Sequence, residues 1–107
     1  MSSDNLNWLS EWYQKKCNGD WEHYFGVKIE TLDNPGWSLI IDIQDSQQQN
    51  LKNIPWHFIE NNKNDWYGYK IEEGKFEASG DPYKLDYLIK LFREIVENNS
   101  PPLVHQE

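Results

Sequence analysis

The chain has 107 residues and a formal net charge of −8, with 37% hydrophobic and 15% aromatic residues. This length predicts a single domain over residues 1–107, with residues 100–107 as a flexible tail, and the aromatic content excludes a wholly disordered chain. The negative charge disfavours nucleic acid and anionic membranes as partners, because both carry negative charge themselves.

Cysteine usage and hydropathy indicate the compartment in which the chain works. The single cysteine, Cys17, has no partner for an internal disulfide. No segment approaches the apolar core of a signal peptide or the roughly 20 apolar residues of a membrane span. The expected location is therefore the cytoplasm.

The excess negative charge is concentrated in one part of the chain. Residues 20–45 contain six acidic residues and one lysine, a net charge of −5, whereas all other residues together carry −3. Such a field steers basic partners toward it and raises association rates in a salt-dependent way. A charge bias that maintains solubility is the alternative explanation.

The N-terminal segment has the periodicity of an amphipathic helix, predicted over about residues 5–18. Ser3 or Asp4 is expected to cap its start, and Gly19 suits the left-handed conformation that ends a helix. Cys17 lies on the apolar side of this helix, where burial is expected rather than nucleophilic chemistry. The apolar side consists of Leu6, Trp8, Leu9, Trp12, Tyr13 and Cys17.

A β-hairpin is predicted next. Residues 25–31 and 37–43 alternate with a period of two, as strands with one covered face do. Asn34-Pro35-Gly36 between them predicts a reverse turn, because proline fixes φ at the first central position and glycine accepts a positive φ at the second. The polar residues 45–50 that follow are predicted to form a solvated loop.

The second half of the chain predicts three more strands, at residues 56–59, 66–71 and 75–78, and a C-terminal helix. Asp81 is expected to cap this helix, with Pro82 at its first position. Its apolar stripe consists of Leu85, Leu88, Ile89, Leu91, Phe92, Ile95 and Val96. Because the turns are too short for parallel crossovers, the predicted fold class is α+β, with an antiparallel meander of about five strands and both helices packed on one face.

No group of residues has the spacing of a catalytic or metal site. His23 and His57 lie on different predicted strands and are candidates to meet Asp20 or Glu22 around a metal ion, but no cysteine pair or helical histidine spacing supports this. The sequence also contains no phosphate-binding glycine loop. We therefore expect no cofactor and no enzymatic activity, and the composition favours recognition of another protein.

The tryptophans are predicted to divide into two groups. Trp12 and Trp37 are expected to close the core. Trp21 and Trp66 are flanked by acidic residues and are expected to be accessible, with burial beneath a loop as the alternative. Exposed tryptophans often lie at the energetic centre of an interface, and neighbouring carboxylates select a basic partner.

Several segments together resemble one known family. They are Leu6-Asn7-Trp8-Leu9, Glu11-Trp12-Tyr13, Gly19-Asp20-Trp21-Glu22-His23, Gly26-Val27-Lys28-Ile29, Thr31-Leu32-Asp33-Asn34-Pro35-Gly36-Trp37, Asn64-Asp65-Trp66 and Gly74-Lys75-Phe76. From about Leu6 to Phe92, the chain resembles the immunity protein 53 family of bacterial polymorphic toxin systems. This resemblance implies a cytoplasmic protein that binds and neutralises a toxin domain, and it supplies no catalytic residues.

The charge distribution and the resemblance lead to one hypothesis about the binding surface. Many antibacterial toxins are nucleases with basic clefts, which an anionic hairpin would fill in place of substrate phosphates. The protein is expected to be a monomer or a weak dimer, and a small protein-binding or regulatory module without a toxin partner is the alternative. The residues predicted to bind the toxin are Asp20, Trp21, Glu22, Glu30, Asp33, Asp42 and Trp66.

Overall fold

The structure, a computed structural model, describes residues 3–43 and 53–98. The predicted loop at residues 45–50 and the predicted tail lie outside the described residues. The helices are α1 (Ser3–Lys16), α2 (Trp21–Tyr24) and α3 (Leu85–Asn98). The strands are β1 (Val27–Leu32), β2 (Gly36–Asp42), β3 (Ile54–Asn62), β4 (Asp65–Glu72) and β5 (Lys75–Gly80).

The five strands form one antiparallel sheet in the order β1-β2-β5-β4-β3. β1 and β2 form the predicted hairpin, in which Thr31 pairs with Trp37. β3, β4 and β5 form a three-stranded meander, and β5 also pairs with β2 to join the two units. The predicted α+β class with a five-stranded antiparallel sheet is confirmed, and the strand order departs from an uninterrupted meander where β2 meets β5.

The helices supply one side of the hydrophobic core. α3 packs against the central strands β2 and β5, and α1 packs beside α3. Trp8 and Trp12 of α1 meet the Phe92 ring edge-on, with centroids 5.9 and 5.0 Å away. Each such aromatic pair contributes about 0.5–1.5 kcal/mol beyond the burial of its area. The buried residues of α3 are Leu88, Ile89, Leu91, Phe92 and Ile95.

The helix ends differ from their predictions by a few residues. α1 ends at Lys16, and Gly19, three residues later, has the predicted left-handed conformation with φ +92°. Cys17 is half-buried. α3 begins at Leu85, so Asp81 begins the turn before the helix rather than capping its first residue. No helix among the described residues combines the length and the apolar character needed to cross a membrane.

The two tryptophans predicted to close the core do so. Trp12 is buried within the core cluster. Trp37 is half-buried, packs against the same cluster, and donates its indole N–H to the carbonyl oxygen of Pro82 at 3.0 Å.

The hairpin turn differs from its prediction at Gly36. The Asn34-Pro35 peptide bond is cis, and Gly36 does not have the expected positive φ. Glycine is needed at position 36 because there is no room for a side chain. A Cβ there would collide with the carbonyl oxygen of Gly80 and lie 3.3 Å from Cζ2 of Trp66. The turn of β1 and β2 is thus packed closely against the ends of β4 and β5.

The sheet has two different faces, because side chains alternate along each strand. We call the side that packs against the helices the inner face and the opposite side the outer face. The outer face is open to solvent in the described part of the chain and is therefore a candidate binding surface. The buried residues of the inner face include Leu39, Ile41, Tyr69, Ile71, Phe76 and Ala78.

Candidate functional site

The five carboxylates predicted to bind a partner lie in three separate places. Asp20 and Glu22 lie at α2, before β1, whereas Asp33 lies in the turn after β1. The strand between them has six residues and spans roughly 20 Å. Glu30 and Asp42 lie on the outer face of β1 and β2. These acids therefore do not form a single charged cluster.

Glu22 stabilises the loop between α1 and α2. Its carboxylate accepts hydrogen bonds from the backbone N–H groups of Asn18 and Gly19, both at 2.9 Å. Hydrogen bonds from its own N–H and from those two donors lower the pKa of Glu22 below its ordinary value. The Asn18 side chain accepts the N–H groups of Asp20 and Trp21, where α2 begins. The Glu22 carboxylate is thus directed toward the backbone of its own loop.

Trp21 is buried, so the expectation that it is accessible is wrong. Only 3% of the residue is exposed. Its ring lies 6.0 to 6.1 Å from the rings of Trp12, Tyr13 and Phe25. The single turn of α2 directs the indole toward α1, where it closes one end of the core. Trp21 therefore stabilises the fold and does not offer its ring to a partner.

Asp42 is paired within the protein. Its Oδ1 lies 2.9 Å from the Lys75 ammonium, and its Oδ2 accepts the backbone N–H of Gly26 at 2.9 Å. The pairing of β2 with β5 places Asp42 directly opposite Lys75. Asp42 thus links the segment before β1 to β2, and its charge is compensated by Lys75.

Three of the predicted acids present their charge to solvent. Asp20, Glu30 and Asp33 are all exposed. Glu30 lies 3.9 Å from the Lys28 ammonium, in a pair whose two side chains are both largely exposed. Surface pairs of this kind are weak, because water and salt screen them. The charge available for a partner therefore comes from these three residues rather than from all five.

Three aromatic side chains form a continuous patch on the outer face of β3 and β4. We call Trp56, Phe58 and Trp66 the aromatic surface. The Trp56 and Phe58 rings stack with centroids 6.3 Å apart, and the Phe58 and Trp66 rings are 6.1 Å apart. Trp56 is 49% exposed and Phe58 is 46% exposed, because β3 lies at the edge of the described sheet and pairs there with β4 alone. Trp66 is half-buried beside them.

The sequence prediction includes Trp66 and omits Trp56 and Phe58. The segment Trp56-His57-Phe58-Ile59 has no polar–apolar alternation, so it does not show which side chains face outward. Gly68 is the signal that points to them, because glycine inside a strand marks a close approach of other atoms. A Cβ at Gly68 would lie 2.6 Å from Cζ2 of Trp56, so the indole lies directly over the backbone of β4.

A row of small residues lies next to the aromatic surface. The pairing of the five strands aligns Phe58, Gly68, Ser79, Ser38 and Glu30 across the outer face. Neighbouring strands are about 4.8 Å apart, so this row is roughly 19 Å long. The Trp56 indole covers Gly68, and only the small side chains of Ser79 and Ser38 lie between it and the exposed carboxylate of Glu30 on β1.

A buried carboxylate holds the backbone of Trp66 in place. Asp81 is fully buried and accepts the Trp66 N–H at 2.9 Å, the Tyr83 N–H at 2.8 Å and the Lys84 ammonium at 2.7 Å. Lys84 also donates to Asp65 at 2.6 Å. Burial by itself would raise the pKa of Asp81, but the hydrogen bonds from these three donors lower it below its ordinary value.

A depression of about 400 Å³ also opens on the outer face, between β1, β2 and β5. Its lining includes Ile40, with Lys28 and Lys75 as its cations and Asp42 and Glu77 as its carboxylates. Each of the two lysines lies in an ion pair with a carboxylate. The depression therefore offers no uncompensated positive charge to a phosphate or carboxylate ligand.

The two histidines considered as metal ligands lie far apart. His23 is on α2, next to β1, and not on a strand as predicted. His57 is on the inner face of β3, at the other edge of the sheet, with its ring 5.4 Å from that of Tyr69. Across residues 3–43 and 53–98, no three His, Cys, Asp or Glu side chains are grouped to hold a metal ion.

Comparison with known proteins gives one match. Searches of curated proteins and of solved structures found no match to this chain. A family model described as immunity protein 53 matches residues 6–97, a range that runs from within α1 to within α3. The match covers most of the 107 residues and includes all five strands. The chain therefore belongs to the immunity protein 53 family.

Proposed function

We propose that this chain binds a cognate toxin domain and neutralises it by occupying a surface that the toxin needs. The observation that carries this proposal is membership of the immunity protein 53 family. An inhibitor of this kind needs an exposed surface complementary to its target rather than a pocket with catalytic groups. The open outer face of the sheet and the exposed acids of the hairpin offer such a surface.

The toxin surface in this proposal is basic. The chain carries a net charge of −8, of which −5 lies in residues 20–45. Asp20, Glu30 and Asp33 are exposed there, and such charges accelerate the encounter with a cationic partner. A nuclease domain is our preferred toxin class, because binding to a phosphate backbone requires a basic surface.

The proposal is tested with a candidate toxin domain taken from a reading frame adjacent to the one that encodes this chain. Expression of that domain in a bacterial host is expected to stop growth, and co-expression of this chain is expected to restore it. A catalytically inactive form of the domain is expected to form a stable complex with this chain, detected by size-exclusion chromatography with light scattering. Continued growth arrest, together with no complex at micromolar concentrations of both purified proteins, would contradict the proposal.

The role of the exposed acids is tested by charge reversal. Changing all three to lysine is expected to lower the association rate by roughly tenfold or more at low salt and to weaken its salt dependence. A matched control reverses three exposed acids on the helices, which changes the net charge equally. Equal effects of the two triple variants would show that only net charge matters. The test set is Asp20→Lys, Glu30→Lys and Asp33→Lys, and the control set is Glu11→Lys, Asp86→Lys and Glu97→Lys.

A further inference from the structure

We propose that the aromatic surface of Trp56, Phe58 and Trp66 is the anchor by which this chain holds a basic segment of its toxin. This inference rests on the proposed function and adds the residues that govern how long the complex lasts. Asp20 and Asp33 govern the encounter, whereas the aromatic surface, together with Glu30, governs dissociation. The two sets of residues are therefore separable by kinetic measurements.

The first argument is the exposure of rings that are already held in position. Trp56 and Phe58 stack on each other, yet about half of each residue remains in contact with water. The Trp56 indole lies over Gly68, where even a methyl group would collide with it, so its orientation is restrained before binding. Aromatic side chains that are ordered in advance lose little conformational freedom on binding. This arrangement is typical of interface anchors.

The second argument is the charge around these rings. Glu60 and Glu77 form no ion pair within the described ranges, whereas every lysine of the outer face is paired with a carboxylate. The five acids and three lysines of this face give it a net charge of −2. The pairs are Lys28 with Glu30, Lys70 with Glu72, and Lys75 with Asp42, at 3.9, 2.9 and 2.9 Å.

This charge identifies the occupant of the surface. The faces of aromatic rings attract cations, and the net negative charge of the outer face attracts the same groups. A toxin segment that carries arginine or lysine is complementary to both. A second copy of this chain is not, because it would bring a charge of −8 against a charge of −8.

The third argument is the shape of the outer face. Between the Trp56 indole, which covers Gly68, and Glu30, the row carries only Ser79 and Ser38, and it measures roughly 19 Å from Phe58 to Glu30. An extended segment of about six residues spans this distance. Such a segment places one side chain against the aromatic surface and another against the exposed carboxylate of β1. The outer face thus accepts an extended basic segment lying across the strands.

The experiment measures the dissociation of the inactive toxin domain from variants of the full chain. Combined replacement W56A/F58A is expected to weaken the complex at least about 30-fold, mainly by faster dissociation. Tyr24→Ala is the matched control, because Tyr24 is a 75% exposed aromatic residue on α2. The control is expected to change dissociation by less than about threefold. Circular dichroism and thermal unfolding verify that each variant is folded.

Two further variants test the surface without removing its rings. Phe58→Tyr keeps the ring and is expected to keep dissociation close to that of the unchanged chain. Ser79→Arg places a long, positively charged side chain between the aromatic surface and Glu30, and it is expected to weaken the complex as strongly as W56A/F58A does.

The outcomes separate the inference from the proposed function. If the unchanged chain binds the toxin domain and W56A/F58A dissociates within threefold of it, the aromatic surface is not the anchor and the proposed function stands. If the unchanged chain neither binds the domain nor restores growth, the proposed function itself fails. If the chain alone is a dimer that W56A/F58A converts to a monomer, the surface joins two copies and the inference is overturned.

Discussion

Replacement of Asp81 is expected to destabilise the protein far more than replacement of Asp65, although both carboxylates contact the same ammonium group. The Lys84 ammonium lies 2.7 Å from Asp81 and 2.6 Å from Asp65, so distance does not distinguish the two pairs. Burial does, because the side chain of Asp81 is 1% exposed and that of Asp65 is 45% exposed. Water replaces the lost partner at Asp65, whereas it does not reach Asp81.

The size of the effect follows from the groups that lose their acceptor. Asp81→Ala leaves the Lys84 ammonium and the N–H groups of Trp66 and Tyr83 without the buried carboxylate. Removing one partner of a buried ion pair costs about 3–5 kcal/mol. For a domain of this size, that loss lowers Tm by roughly 15–30 °C. Asp65→Ala is expected to lower Tm by a few degrees only, since exposed pairs contribute little.

The assay is thermal and urea unfolding followed by circular dichroism at pH 7. Asp81→Asn serves as a control for volume, because it keeps the shape and one acceptor while removing the charge, and its Tm is expected between those of Asp81→Ala and the unchanged protein. Equal losses of stability in Asp81→Ala and Asp65→Ala would refute the reasoning. They would show that contact with Lys84, and not burial of the carboxylate, determines the energy.

Three other predictions concern pH, packing and the core. The folded pKa of Asp81 lies below its unfolded value of 3.8. The ionised carboxylate of Asp81 therefore stabilises the fold above pH 3.8, and this stabilisation is lost as pH falls through the folded pKa. Asp81→Asn should therefore flatten the acid limb of a curve of stability against pH. Gly68→Ala should displace the ring of Trp56, lower stability by about 1–3 kcal/mol and shift tryptophan emission, and unchanged emission and Tm would contradict the close packing. Trp21→Ala should cost about 3–5 kcal/mol in urea unfolding, and a loss below about 1 kcal/mol would contradict its burial.

Local pattern predicts the elements of this fold and leaves their arrangement open. The apolar stripe of α3 and the alternation in β1 and β2 depend on neighbouring residues, so the sequence reveals them directly. The pairing of β2 with β5 depends on contacts between distant segments. Nothing in the sequence between β2 and β3 distinguishes this order from an uninterrupted meander, because both orders are antiparallel and cover the same inner face.

The candidate site was harder to predict, because exposure depends on tertiary contacts. Acids on both sides of Trp21 indicated an accessible ring, yet the Glu22 carboxylate bonds to its own loop and the indole enters the core. Every acidic residue of the β1–β2 hairpin contributes equally to the negative charge seen in the sequence, although in the structure Lys75 compensates the charge of Asp42. Trp56 lies in a segment without alternation, and only the pairing of β3 with β4 shows which face it occupies.

Within residues 3–43 and 53–98, one edge of β3 has no partner strand, and this edge affects the behaviour of the protein in concentrated solution. A nine-residue edge strand offers unpaired backbone groups to any other strand, including the same strand of a second molecule. Pro55 lacks the N–H that such a ladder needs, and the register shift between Ile54 and His57 interrupts the ladder further. Molecules of like charge also repel each other. Fibre-like growth along this edge is therefore opposed at neutral pH, and that opposition weakens as the solution approaches the isoelectric point near pH 4.7.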